Sequence, residues 1–128
     1  MAQIPLATKG NYFHVYDFRV KPGMAAKFVE AFEAHDYRDD NPFHSSPAQV
    51  KDGVVAQDVD DPDHLYLIGE WSDIAAHAAL RNQQMTSGEK PAFMEMIVPG
   101  TFKPVYAKIV MSTPQHILDG AAKAKAHA

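Results

Sequence analysis

The sequence predicts one α+β domain whose elements follow the order β-α-β-β-α-β. Three observations carry this. Strand-like aromatic and β-branched runs open at 11–20 and close at 101–111, a hairpin signature occupies 54–71, and a helical pattern follows the first strand and again the hairpin. That order produces the ferredoxin-like arrangement, a four-stranded antiparallel sheet with both helices on one face. The second face of such a sheet must also be covered, and no third layer is evident, so a homodimer is expected.

Each element has a local reason. "NYFHVYDFRV" (11–20) is rich in strand-forming residues, and its alternation sets Tyr12, His14, Tyr16, Phe18 and Val20 on one face. "KPG" (21–23) is a turn. Ala25, Phe28, Val29, Phe32 and His35 then follow a helical period. "NPFHSSPAQVKDG" (41–53) reads as a long loop, and "VVAQDV" (54–59) and "LYLIGEW" (65–71) as strands joined by a turn. Ser72 is a suitable cap for a helix over 72–85, with Ile74, Ala78, Arg81 and Met85 on its inward stripe. A short helix is expected at 91–98 with Pro91 in its first turn, and Pro104 assigns 101–111 to an edge or a bulge. The domain spans 11–111, preceded by an N-terminal segment (1–10) and followed by a helix or tail (112–128).

Composition removes many functions. The chain has 128 residues, a net charge of −4 and no cysteine, which excludes disulfides, thiolate metal sites and cysteine nucleophiles. The acidic balance argues against nucleic acid. No run reaches the roughly 18 apolar residues of a membrane span, and no leader pattern is visible, so a cytoplasmic protein with no membrane partner is expected. No G-x-S-x-G, G-x-G-x-x-G or P-loop is present.

Several stretches resemble the antibiotic biosynthesis monooxygenase (ABM) domain of the dimeric α/β-barrel superfamily. "FRVKPGMAAKFVEAF" is similar to that family's first strand, turn and helix, "DVDDPDHLYLIGEWSD" to its central hairpin, and "PAFMEM" to the short helix that follows. The resemblance covers roughly residues 11 to 110. It implies a homodimer with facing sheets, a pocket between sheet and helices, and, in several members, oxygenation of electron-rich polycyclic phenols without flavin, metal or haem. Three departures stand out. The family often carries a histidine about nine residues after the tryptophan, where this chain has Leu80, and its nearest histidine is His77. The 41–53 loop is long, and about 17 residues follow the last strand.

The aspartates at 58, 60, 61 and 63 are calcium-type donors, but Pro62, Asp63 and Gly69 break the EF-hand spacing, so they read as a turn. Glu70 alternates away from Trp71 and is expected at the dimer face or in a surface ion pair. His35 and His44 flank the long loop and are expected in solvent. The candidate catalytic residues are His14, within an aromatic strand face, and His77, one turn after Ile74; a histidine titrates near neutrality and suits general-base work on a phenol. Trp71, Tyr12, Tyr16 and Phe32 are the candidate substrate-binding residues. No metal site and no cofactor are expected. The function expected is a cofactor-independent monooxygenase acting on an aromatic or polycyclic phenolic small molecule. The alternatives are a non-catalytic small-molecule-binding or stress-associated dimer and a haem-binding or haem-degrading relative.

Overall fold

The computed structural model describes residues 2–127; Met1 and Ala128, the extreme residues of the expected terminal segments, lie outside the described residues. The elements are β1 (Tyr12–Arg19), α1 (Ala25–Asp36), β2 (Gln49–Gln57), β3 (His64–Trp71), α2 (Ile74–Thr86), a 3-10 turn (Ala92–Met96), β4 (Lys103–Lys108) and α3 (Gln115–Ala126). The sheet has the order β2-β3-β1-β4 with every neighbouring pair antiparallel. This is the ferredoxin-like α+β arrangement, and Pro104 sits on an edge strand, where a missing N–H disrupts least.

Four local expectations are corrected. β2 begins at Gln49, inside the expected loop, because "QVKDG" pairs through its backbone with Glu70 and Trp71 and needs no apolar pattern to do so. Its register shifts between Gln49 and Lys51 and again between Lys51 and Val54. The α2 cap is Asp73, whose Oδ1 accepts from the Ala75 N–H at 3.0 Å, while Ser72 extends the sheet by donating its N–H to the Ala48 carbonyl at 2.8 Å. Pro91 caps the 3-10 turn from an extended conformation (ψ 146°) rather than standing within its first turn. Glu70 is 2% exposed and forms no ion pair among the described residues; its Oε2 accepts from the Thr8 N–H (2.9 Å) and Asn11 Nδ2 (3.0 Å), fastening the N-terminal segment to β3.

The acidic turn is structural. Asp58 Oδ1 accepts from the N–H groups of Asp60 (2.9 Å) and Asp61 (3.1 Å). Asp61 pairs with Arg19 at 2.6 Å, which holds its carboxyl below the usual range, and Asp63 accepts from the Gly23 N–H at 3.1 Å. Gly23 has φ +75°, so the Pro-Gly turn leading into α1 requires glycine there.

Register sorts the two faces of the sheet. Toward the helices, β1 pairs with β3 as Phe18↔Leu65, Tyr16↔Leu67, His14↔Gly69 and Tyr12↔Trp71. Phe18, Val20, Phe28 and Leu65 form the buried core at one end, with Phe32, Phe93 and Ile97 packed against it. On the opposite face a single apolar rung, Val54–Ile68–Val15–Val105, crosses all four strands. Val54 is 60% and Val105 49% exposed.

Candidate active site between the sheet and the helices

At the other end of the helix-covered face the sheet and helices stand apart around a cavity of about 730 Å³. That lies within the range of small-molecule sites. Phe28, Phe32 and Phe93 wall its core end, and His14, Tyr16, Trp71 and His77 its far end.

Gly69 makes room for His14. A Cβ on Gly69 would stand 2.6 Å from His14 Cε1, so the imidazole occupies the space that any other residue at 69 would fill. The same Cβ would stand 3.3 Å from the Gly53 Cα. His77, reaching down from α2, stacks on His14 with centroids 4.3 Å apart and planes 16° from parallel. Trp71 meets His77 edge-on at 4.9 Å, and Phe43 from the 41–48 loop closes over both rings at 6.3 and 5.4 Å.

The two imidazoles differ in their bonding. His77 Nδ1 lies 2.9 Å from the Tyr106 hydroxyl and Nε2 3.4 Å from the Tyr16 hydroxyl, so both nitrogens are engaged, one as donor and one as acceptor. His14 makes no side-chain hydrogen bond with the described residues, and its Nδ1 is buried without a partner, as is the Trp71 indole N–H. A buried polar atom left without a partner in a rigid wall is a place for a ligand group.

Electrostatics keep this wall neutral. Burial pushes His14 down to about 4, opposed by the Asp52 carboxylate. Burial pushes His77 down to about 3, helped by His14 and then by the Arg81 guanidinium. Burial raises the Tyr16 hydroxyl, against the pull of Arg81. At neutral pH both imidazoles are therefore uncharged and Tyr16 keeps its proton. Arg81 lies one turn beyond His77 with its guanidinium over Tyr16 (5.6 Å) and Phe102 (5.8 Å), and it pairs with no carboxylate among the described residues. The arrangement offers a neutral base with one free lone pair, an indole N–H, and a fixed cation for an anion formed nearby.

Of the residues expected from sequence, His14, His77, Trp71 and Tyr16 converge here, and Phe32 lines the cavity nearer the core. Tyr12 does not line it: the register sets Tyr12 beside Trp71 on the last rung of the sheet, beyond the cavity wall. His35 is half-buried against Phe93 at 5.3 Å with Gln84 at 3.3 Å, while His44 is exposed at the rim, so only the second of these solvent expectations holds. Sequence reasoning missed Tyr106, Phe43 and Arg81. For Arg81 a signal existed, since a charge in the inward stripe of an amphipathic helix needs a polar destination.

No protein-family model and no curated protein sequence matches the chain. Solved structures do. A protein named as an antibiotic biosynthesis monooxygenase from Bordetella bronchiseptica superposes with a TM-score of 0.64 at 13% identity, covering 80% of this chain and all of that one. SnoaB, a cofactor-independent oxygenase from Streptomyces nogalater solved as a mutant, gives 0.62 at 18% identity over 82% of this chain and 98% of its own. A Nitrosomonas europaea protein named for the same activity as the first gives 0.60 at 16% identity over 79% and 91%. The chain has the fold of the antibiotic biosynthesis monooxygenases. In this ABM fold the cavity is built from β1, β3 and α2, the segments that carry His14, Trp71 and His77. No helix among the described residues is long and apolar enough to cross a membrane.

Proposed function

We propose that this protein is a cofactor-independent monooxygenase acting on an aromatic or polycyclic phenolic small molecule, with His14 as the general base. The observation that carries this is the buried imidazole of His14 in an aromatic cavity, stacked on a second neutral histidine, with the Arg81 guanidinium over the neighbouring Tyr16 ring and neither His14 nor Arg81 paired among the described residues. The fold's occurrence in a cofactor-independent oxygenase supports it. His77 is the positioning partner, because both of its nitrogens are engaged by tyrosines.

The chemistry balances without an external reductant. His14 takes a proton from an activated ring methylene, and the carbanion is stabilised by delocalisation and by Arg81. The carbanion transfers an electron to dioxygen and the pair recombines to a peroxide, which takes the proton back from His14. Loss of water from the hydroperoxide leaves a carbonyl, so CH₂ and O₂ become C=O and H₂O. An imidazole held near 4 is by itself a weak base. The anion it creates raises its proton affinity by direct charge pairing. The protein's contribution is positioning and exclusion of water.

The test is oxygen uptake by purified protein with anthrone-type and quinol substrates, with the quinone product measured beside it. Stoichiometric uptake in the presence of chelator supports the reading, and no uptake with any electron-rich polycycle refutes it. A haem titration separates the haem alternative. A haem would need a ring nitrogen as axial ligand, which the unbonded imidazole of His14 offers, so a Soret shift that is lost in His14→Phe favours the haem alternative and the absence of a shift removes it.

A homodimer belongs to the same proposal, supported by the Val54–Ile68–Val15–Val105 rung left open on the sheet. Placing a charge in that rung is expected to convert the dimer to monomer. Light scattering of Val105→Glu and Val54→Glu checks this, and an unchanged dimer mass in both variants moves the interface elsewhere.

A further inference from the structure

We propose that Asp36, His44 and Asp52 bind a divalent metal ion of the Zn²⁺ or Co²⁺ type at the mouth of the cavity. All three line it, and their donor atoms lie within 4.8 Å of one another. His44 Nε2 stands 3.2 Å from Asp36 Oδ2 and 3.1 Å from Asp52 Oδ1. Two donors each at about 2.1 Å from one ion are separated by about 3.0 to 3.4 Å at octahedral and tetrahedral angles, so both spacings fit a shared ion.

One imidazole N–H lies between two carboxylates, an arrangement that a three-centre charge pair and a cation held by all three groups satisfy equally. The cations adjacent in sequence are engaged elsewhere. Arg38 reaches Asp40 and the His35 carbonyl, and Lys51 Nζ bonds the carbonyls of Pro5 (3.2 Å) and Leu6 (2.7 Å). Among the described residues, two carboxylates therefore share one imidazole with no lysine or arginine bonded to either.

Contacts outside the cluster aim the two carboxylates. Asn41, 4% exposed, donates to both the carbonyl (2.8 Å) and Oδ1 (3.2 Å) of Asp36, and its own Oδ1 accepts from the Phe43 N–H at 2.9 Å. That leaves Asp36 Oδ2 facing His44 and fixes the loop that carries it. Asp52 lies in the irregular stretch of β2 between Lys51 and Val54, the kind of bulge that redirects a side chain, and its Oδ1 accepts from the Gly53 N–H at 2.9 Å. Such outer contacts are what orient metal ligands.

Three protein ligands leave at least one coordination position open. Here it faces a cavity whose occupant would supply an oxygen. The ion also ties the 41–48 loop, and with it Phe43 over Trp71 and His77, to α1 and β2. The site is independent of whether the cavity oxidises its ligand, and its test uses no turnover.

Full-length protein without an affinity tag is titrated with CoCl₂ alone, followed by visible d–d absorption and by calorimetry. One saturable equivalent is expected, weakened at least tenfold in His44→Ala and in Asp52→Asn, and unchanged in His116→Ala on α3. Asp52 is largely exposed, so Asp52→Asn retains the fold, which far-UV circular dichroism verifies. The proposal is overturned if no saturable uptake occurs, if both cluster variants bind as the wild type does, or if His116→Ala loses the metal to the same extent.

Discussion

Replacing His14 with phenylalanine is expected to lower oxygen uptake at least a hundredfold while the protein stays folded. A positioned general base contributes about 10²–10⁴-fold. Phenylalanine preserves the ring that fills the space above Gly69 and stacks on His77, and it removes the nitrogen that the structure leaves without a partner. Deleting a buried polar atom that has no partner costs little stability. Gly69→Ala supplies a second arm. It keeps the imidazole but sets a Cβ 2.6 Å from His14 Cε1, so the ring must move. A displacement on the order of 1 Å at a reacting group can cost about 10²-fold. Oxygen-electrode rates measured beside near-ultraviolet circular dichroism decide the matter. Wild-type rates in His14→Phe would remove His14 as the base, and a loss confined to His77→Phe would transfer that role.

The second large effect concerns acid. Ordinary histidine titrates at 6.5, while in the folded protein His14 is held at about 4 and His77 at about 3. Below 6.5 the unfolded chain takes up protons that the folded chain refuses, so acid favours unfolding. The stability is complete above pH 6.5. It is lost progressively as the pH falls toward about 4 for His14 and about 3 for His77. Each histidine contributes a slope approaching about 1.4 kcal/mol per pH unit, or roughly 3 kcal/mol for His14 by pH 4. The rings stack, so the loss is a property of the pair. Urea midpoints at pH 7.5, 6.5, 5.5 and 5.0 lie largely above the range of ordinary carboxylates. Over that window His14→Phe is expected to show a shallower decline than the wild type, and parallel curves would show that the pair is not held neutral by burial.

Much of this molecule is legible without coordinates. The alternation in 11–20 placed His14, Tyr16 and Phe18 on one face, and they are on one face. The Pro-Gly turn, the aspartate-rich hairpin and the helix after Trp71 are local devices, written in residues a few positions apart, and for that reason they can be read. The end of the hairpin was visible too, since an apolar strand ending in the chain's only tryptophan sets a large aromatic ring where the second helix begins.

What the sequence did not determine depends on pairing between distant segments. The start of β2 at Gln49 is fixed by backbone bonds to β3, to which side-chain pattern is blind. The opposition of His14 and Gly69 is a matter of register between strands some fifty residues apart. That register opens the space into which His14 fits, and α2 then brings His77 onto it. Burial, rather than residue type, sets both imidazoles neutral, and burial exists only once sheet, helix and loop have closed. Asp36, His44 and Asp52 come from the end of a helix, a loop and a bulged strand, with no spacing motif to announce them. By itself the sequence determined the order of elements and the face on which the aromatic residues lie, because both follow from local periodicity. The tertiary structure decided which side chains touch, which remain uncharged and which surround a cavity, because distance and desolvation are properties of the folded chain.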